Sequence, residues 1–353
     1  MILEKLEIKQ VRSVGFFKES FSPKINILLG PNGAGKTTIL ESIHLLSLAR
    51  SFRKNESTSL ISQEKEYLLV NGVITNPSEK IKIQVGVSKK EKRIQINGKR
   101  VKKRKDLIGL FPTVVFSPDL NDVVSGSKAD RHDFFNRIFC TVDHQFTADL
   151  LKFFKILNQR RTLIKQGDDN QLKIWNNLYA EICLKIWEKR HKLFTGFCEE
   201  FYRVWNDSFP QKNSEILYTR KSIPEKNWIK ENLNEIRVEE INKKRVLFGP
   251  HKDDYSFVFE KRDLRKFGSQ GERKFFHYML RLAEAEYIRK ISGKTPVLLL
   301  DDLFAKMDEL RIEKIINPFM NNFQMFITST DIHRKGINRF LSKETKTIQI
   351  LKN

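Results

Sequence analysis

Eight residues, Gly30-Pro31-Asn32-Gly33-Ala34-Gly35-Lys36-Thr37, constrain this chain more than any others. They match G-x-x-x-x-G-K-[ST], a loop whose backbone N–H groups curl around phosphate. The flanks agree. Ile25-Asn26-Ile27-Leu28-Leu29 is an apolar run that reads as a buried strand. Thr37 to Leu48 reads as a helix with Ile39, Ile43 and Leu46 inward and Leu45 beside them. The glycines let the backbone approach an anion without Cβ clashes. The helix start adds about half a positive charge at the same spot. In such a loop Lys36 reaches the β- and γ-phosphates of ATP and Thr37 offers its hydroxyl to Mg²⁺. Gly30, Pro31, Asn32, Gly33, Ala34, Gly35 and Thr38 complete the cofactor-binding set. The bland alternative is a glycine-rich turn with a chance lysine, and the flanks weigh against it.

A length of 353 residues suggests two domains, and 40% hydrophobic residues supply a core. No apolar run approaches the ~18 residues of a membrane helix. Met1 to Ile8 alternates like a strand and carries acids, unlike a signal peptide. Cys140, Cys183 and Cys198 lie far apart and read as buried free thiols of a cytoplasmic chain. The seven histidines show no metal spacing. The net charge is +22, from 65 basic and 43 acidic residues, which points to a polyanionic partner. A lysine-rich proteome is the other explanation. Residues 89–105 hold ten Lys or Arg and one acid. This segment reads either as a solvated hairpin tip, turning at Asn97-Gly98, or as a phosphate contact.

The residues up to 118 look like strand-rich α/β, with strands expected at 3–8, 25–29, 68–74, 81–87, 94–96 and 113–116. From 119 to about 206 the pattern is helical. Leu150, Phe153, Phe154, Leu157 and Ile164 recur at helical spacing, then Trp175, Leu178, Ile182, Ile186, Phe194 and Phe201. Such stripes read as core. Residues 208–243 look like an exposed polar connection. Strand signal returns from 245, at Tyr255–Phe259 and Val297–Leu300. The expected organisation is therefore an α/β domain split into 1–118 and 245–353, with a helical domain at 119–244 inserted between.

A split of this kind makes sense if the second part carries the rest of the nucleotide site. Val297-Leu298-Leu299-Leu300-Asp301-Asp302 is an apolar strand ending in two carboxylates. Asp301 is placed to hold Mg²⁺, directly or through water, and Asp302 to orient or deprotonate an attacking water. Upstream, Ser269-Gln270-Gly271-Glu272 opens a helix. It reads as an N-cap with a capping box, as an anion site, or as both. A second anion site is redundant in one subunit but useful against a nucleotide held by another, which suggests an ATP-closed dimer.

Together these elements resemble ABC-type ATPase heads of the Rad50 and structural-maintenance-of-chromosomes (SMC) group. More closely, the chain resembles the RecF family, nearly end to end. The resemblance is carried by Ser51-Phe52-Arg53, Leu60-Ile61 and Val114-Val115-Phe116-Ser117-Pro118, whereas the phosphate loop is nearer the general ABC form than the Glu-Asn-rich version usual in the family. Gly126, Arg131, Asn158-Gln159-Arg160 and Gly249-Pro250-His251-Lys252-Asp253-Asp254 follow. Ser269-Gln270-Gly271-Glu272 and Leu300-Asp301-Asp302-Leu303-Phe304 complete the set. The resemblance implies an ABC-type P-loop ATPase with an inserted helical arm. It implies ATP-dependent binding of double-stranded DNA near gaps and help to RecO and RecR in loading recombinase. It also implies an ATP-driven homodimer, reset by slow, DNA-stimulated hydrolysis, and no membrane partner. By position, Lys36 and Thr37 take phosphate and Mg²⁺, Asp301 the metal, and Asp302 the role of base. Ser269 and Gly271 take the trans nucleotide, Asp308 the dimer seam, and Arg12 a place near the adenine base. Thr328, Ser329 and Thr330 stand where transporters keep a switch histidine.

The chain departs from the family pattern at Lys306-Met307, at Asp130-Arg131-His132 with Asn136, and at Lys252, which replaces Arg. These departures touch the dimer seam and DNA surface and leave the ATP site intact. The rival from another class is the ATPase subunit of an ABC transporter. Against it stand the charge, Ser-Gln-Gly-Glu in place of Ser-Gly-Gly-Gln, and the helical insertion. Another Rad50/SMC-head-like ATPase and a basic DNA-binding scaffold are further alternatives.

Overall fold

The computed structural model describes residues 1–53, 57–76, 79–101, 103–117, 123–302, 319–331 and 343–351. They fall into two compact units, Met1–Asn121 with Tyr278–Asn353, and Asp122–His277.

The first unit is built on two sheets of opposite character. Its N-terminal strands alternate apolar with polar residues and pair antiparallel, as one-sided burial requires. They are β1 (Ile2–Val11), β2 (Val14–Ser20), β4 (Tyr67–Thr75), β5 (Lys80–Ser88), β6 (Lys92–Ile96) and β7 (Lys99–Arg100), in the order β2-β1-β4-β5-β6-β7. In β1 the buried residues are Leu3, Leu6, Ile8 and Val11, because the register against β4 shifts between Leu3 and Lys5. The second sheet holds β3 (Ile25–Leu29), β8 (Thr113–Phe116), β12 (Val297–Leu300), β13 (Met325–Ser329) and β14 (Thr345–Gln349). Every pair is parallel and the order is β14-β3-β13-β12-β8. β3, β8, β12 and β13 are buried at every residue, as continuous apolar runs in a covered parallel sheet must be.

Helix α1 (Lys36–Leu48) packs on β1, β4 and β5 of the first sheet and on β13 of the second. Every side chain from Thr38 to Leu48 is therefore buried, where the sequence suggested one inward face. Its polar groups are satisfied locally. Ser42 donates to the Thr38 carbonyl at 2.8 Å, and His44 Nδ1 meets Thr113 Oγ1 at 2.8 Å.

The second unit contains α2 (Lys128–Val142), α3 (His144–Gln166), the 40-residue α4 (Asp169–Ser208), α5 (Lys226–Glu235) and α6 (Arg237–Asn242). It also holds β9 (Ser214–Tyr218), β10 (Tyr255–Phe259), β11 (Arg262–Asp263) and α7 (Leu264–Phe267). Helix α8 (Gln270–Ser292) passes from this unit into the first. Two expectations are corrected here. Residues 208–243 are not an exposed connection, since Ile229, Leu233 and Glu240 are fully buried and β9 is a strand. The second unit also runs to His277, past the expected limit at 244, because β10 pairs antiparallel with β9 along its whole length. Of the helical stripes, Leu150, Phe153, Leu157, Ile164, Ile182, Ile186, Phe194 and Phe201 are core, whereas Phe154 and Leu178 are exposed.

Two polar nodes fix the second unit. Arg160 and Glu240 are both fully buried and joined at 2.7 Å. Glu240 also accepts from the Leu247 N–H. Replacing Glu240 with Ala leaves the Arg160 charge buried alone, and a loss of about 3–5 kcal/mol in urea unfolding is expected. The other node explains several motif residues. Arg131 grips Asp254 through two bonds of 2.8 and 2.9 Å. Asp253 accepts from Trp187 Nε1 and Tyr218 Oη, and Arg190 donates to the Pro250 carbonyl. Gly249 has φ +131°, and a Cβ there would lie 2.0 Å from Tyr179 Oη. His132 is pushed down to about 4, first by burial and then by Arg190, so it is a neutral ring donating to the Asp253 carbonyl. Cys140, Cys183 and Cys198 are buried free thiols, and burial pushes Cys140 up to about 11.

Candidate nucleotide site

The phosphate loop leaves the C-terminal end of β3, where ligands of parallel sheets gather. Gly30 donates to the Ser329 carbonyl, and a Cβ on it would lie 2.2 Å from the Ile350 carbonyl oxygen. Backbone closeness thus requires glycine at the loop's start. At its end Gly35 caps α1 with φ +97° and no side-chain cap. The first N–H groups of that helix are left for an anion.

The strand order then assembles the rest. Asp301 follows β12, which lies between β8 and β13, and each neighbour sends it a hydroxyl. Ser117 donates to Oδ2 at 3.2 Å and Thr328 to Oδ1 at 3.1 Å. Thr37 Oγ1 donates to the same Oδ1 at 2.8 Å, from 264 positions away in the chain. A hydroxyl and a carboxylate at this separation suit a hard divalent cation such as Mg²⁺, which keeps its remaining positions for water and phosphate oxygens. No group of three His, Cys, Asp or Glu suited to a metal occurs among the described residues. Asp302 has φ +49°, and its N–H donates to Thr328 Oγ1 at 2.8 Å. Thr328 therefore spans both carboxylate residues. A cavity of about 280 Å³ opens here, lined by Asn32, Gly33, Gly35, Lys36, Thr37 and Thr38, and by Ser13, Arg53, Asp301, Asp302 and Thr328.

Lys36 Nζ donates to the Gly30 and Pro31 carbonyls at 2.7 and 2.9 Å. Burial lowers its pKa, against the pull of Asp302 and Asp301. Asp301 is 3% exposed, and burial raises its pKa in spite of three hydroxyl donors. A carboxyl raised on folding stabilises most below its unfolded pKa and loses that contribution as pH rises through the folded value. Asp301→Asn should therefore raise the thermal midpoint of the metal-free protein near pH 8 and raise it less near pH 4. Scanning calorimetry at both values checks this.

The remaining expected site residues are placed as follows. Arg12 does not line the cavity. Its guanidinium sits on the buried Glu41, with Nε 2.9 Å from Oε2, and Ser51 donates to the same carboxylate. Ser269 and Gly271 are exposed, and Ser269 forms a reciprocal capping box with Glu272. Asp308, Lys306, Met307, Pro118, Leu303 and Phe304 lie outside the described residues, as does Lys102. In the basic segment, Asn97-Gly98 makes the expected turn between β6 and β7. Arg93 and Arg100, both over 60% exposed, share Glu91. Sequence reasoning assigned no site role to Ser13, Arg53 or Ser117, and set Thr328 only at the position of a switch histidine. Arg53 and Ser117 lie in motifs that carried the family resemblance, which was the available signal.

A phosphate loop on one parallel strand, facing a carboxylate two strands away, with an antiparallel sheet against the loop helix, defines the ABC-type ATPase fold. The family of the RecF/RecN/SMC N terminal domain matches residues 2–349. The DNA replication and repair protein RecF of Moorella thermoacetica is 30% identical over 94% of this chain and 90% of its own length. That of Lysinibacillus sphaericus is 29% identical over 99% and 98%. A solved structure of the recombination mediator protein RecF-ATPrS in the RecFOR pathway superposes with a TM-score of 0.86 at 26% identity, covering 99% of this chain and 95% of that one. The Smc head domain from Pyrococcus furiosus, at 16% identity and TM-score 0.57 over 100% and 94%, shares the fold. The chain belongs to the RecF family, which sets the transporter reading aside. No described helix is long and apolar enough to cross a membrane.

Proposed function

We propose that this protein is a RecF-like, ATP-dependent DNA-binding protein of recombinational repair and replication restart. The observation that carries the nucleotide half is the 2.8 Å bond between Thr37 and Asp301, which joins the two halves of a Mg²⁺–nucleotide site. ATP, when bound, supplies the phosphoanhydride. Lys36 and the α1 N-terminus neutralise its phosphates, Thr37 and Asp301 hold Mg²⁺, and Asp302 orients or deprotonates water. Arg53 lines the same cavity and adds positive charge beside the phosphates. Ser269 and Gly271, exposed at the start of α8, meet the nucleotide of a second copy, at a seam to which the family resemblance assigns Asp308. ATP thus closes a homodimer, and weak, DNA-stimulated hydrolysis reopens it.

The relatives' names place them in DNA replication and repair, and a solved one in the RecFOR pathway. The +22 charge supports the same partner class here. Double-stranded and gapped DNA are the proposed ligands, with RecR, alongside RecO, as protein partner in a cytoplasmic setting. Contacts to phosphate dominate, so affinity is insensitive to sequence. Affinity for a labelled duplex, measured by anisotropy with ATP, should fall on the order of 10³-fold between 50 and 200 mM salt. It should also weaken when ATP is withheld. Salt-independent binding, or equal binding without nucleotide, would refute the DNA reading.

A further inference from the structure

Between α4, α5 and α6 the second unit has an open groove of about 420 Å³, lined by Lys173, Asn176, Asn177, Lys230, Asn234 and Arg237. Three of these are cations, the other three are amides, and no carboxylate is among them. Acids nearby are already engaged. Asp169 is shared by Lys173, at 3.4 Å, and Arg237. Glu181 is held by Lys226 at 2.7 Å, and Glu240 by Arg160. Three lining cations against one shared carboxylate leave an excess of positive charge.

Asn176 adds an independent sign. It is 3% exposed, and its Oδ1 accepts from Arg160 Nε at 2.9 Å. A guanidinium can only donate, so the amide cannot be turned the other way. Nδ2 is thereby fixed as a donor, and it is buried with no acceptor in the protein. That unmet donor lies behind the groove wall, so its surroundings lack an acceptor. An oxyanion in the groove would supply the missing negative charge. Arg237 offers a planar fork and the two lysines compact charges, the donor set that suits a tetrahedral anion.

We propose that this groove binds a phosphate-class oxyanion, at a site separate from the phosphate loop. The volume exceeds what a bare phosphate fills and lies in the range of small-molecule sites. Two sources share this chemistry, free inorganic phosphate and the phosphate group of a larger small molecule.

The test is calorimetric titration of the full chain carrying Lys36→Met, so that the phosphate loop does not contribute. Inorganic phosphate and ribose 5-phosphate are the two probes. One site is expected, and tighter binding of ribose 5-phosphate would assign the larger ligand, whereas equal affinity would assign phosphate alone. Adding Lys230→Gln and Arg237→Gln should weaken binding at least tenfold. Lys230→Gln alone, which removes one amine near Glu181, should weaken it severalfold with unchanged circular dichroism. Lys5→Gln with Lys18→Gln removes the same charge from exposed positions of β1 and β2 and should change nothing. Absence of binding in the Lys36→Met chain, or equal weakening by the Lys5 and Lys18 pair, would overturn the proposal. Because the titration involves neither ATP nor DNA, its failure would leave the proposed function untouched.

Discussion

Asp302→Asn is expected to bind ATP as well as the unchanged protein and to hydrolyse it about 10²–10³-fold more slowly, the usual contribution of a positioned acid or base. The backbone at this position has φ +49° and is held by the bond from its N–H to Thr328. Asn tolerates that left-handed conformation as readily as Asp, so the substitution leaves the turn in place. It removes the capacity to accept a proton while keeping an oxygen able to orient water. If ATP closes the dimer and hydrolysis opens it, the variant should accumulate as a dimer. Light scattering with ATP reads the mass, and phosphate release reads the turnover. Unchanged turnover would remove Asp302 from the chemistry.

Lys36→Met should have the opposite signature. ATP affinity should fall about 10²-fold or more, since a charge-assisted contact to phosphate is lost from a partly buried loop. No ATP-induced dimer should form. The ammonium braces its own loop through the Gly30 and Pro31 carbonyls. The variant therefore loses a brace as well as a ligand, and loop amides of residues 30–35 should exchange with deuterium faster even without ATP. Retained ATP-dependent dimerisation in this variant would mean that assembly does not run through the phosphate loop.

Local pattern made much of the first unit legible. Runs such as Ile25–Leu29, Thr113–Phe116 and Val297–Leu300 are apolar throughout because the parallel sheet is covered on both faces, and each was expected as a strand. The strand Met325–Ser329, equally buried, was missed as a strand, although Thr328 to Thr330 had drawn notice through the resemblance. Residues 208–243 misled because their polar composition hides two short helices whose burial rests on single positions such as Ile229 and Leu233. The limit of the inserted unit was misplaced because β9 and β10 recognise each other by pairing, which composition does not encode.

The candidate site divides in the same way. Gly30, Gly35, Lys36, Thr37 and Asp301 were readable because backbone freedom, a cation, a hydroxyl and a strand-end carboxylate are local chemical signatures. Arg12 was placed near the base by family position, and the fold adds a contact of its guanidinium with Glu41, a residue buried in α1 with no sequence sign of that pairing. By itself the sequence determined that a phosphate loop exists, that its partner carboxylate ends a buried strand far along the chain, and that the surface is strongly basic. Tertiary structure alone decided that Ser117, Thr37 and Thr328 converge on Asp301, because the neighbours of β12 are fixed by parallel pairing of strands widely separated in sequence. Hydrogen bonds of 2.8–3.2 Å are made by proximity in space, and proximity across hundreds of residues is set by strand order rather than by any local pattern.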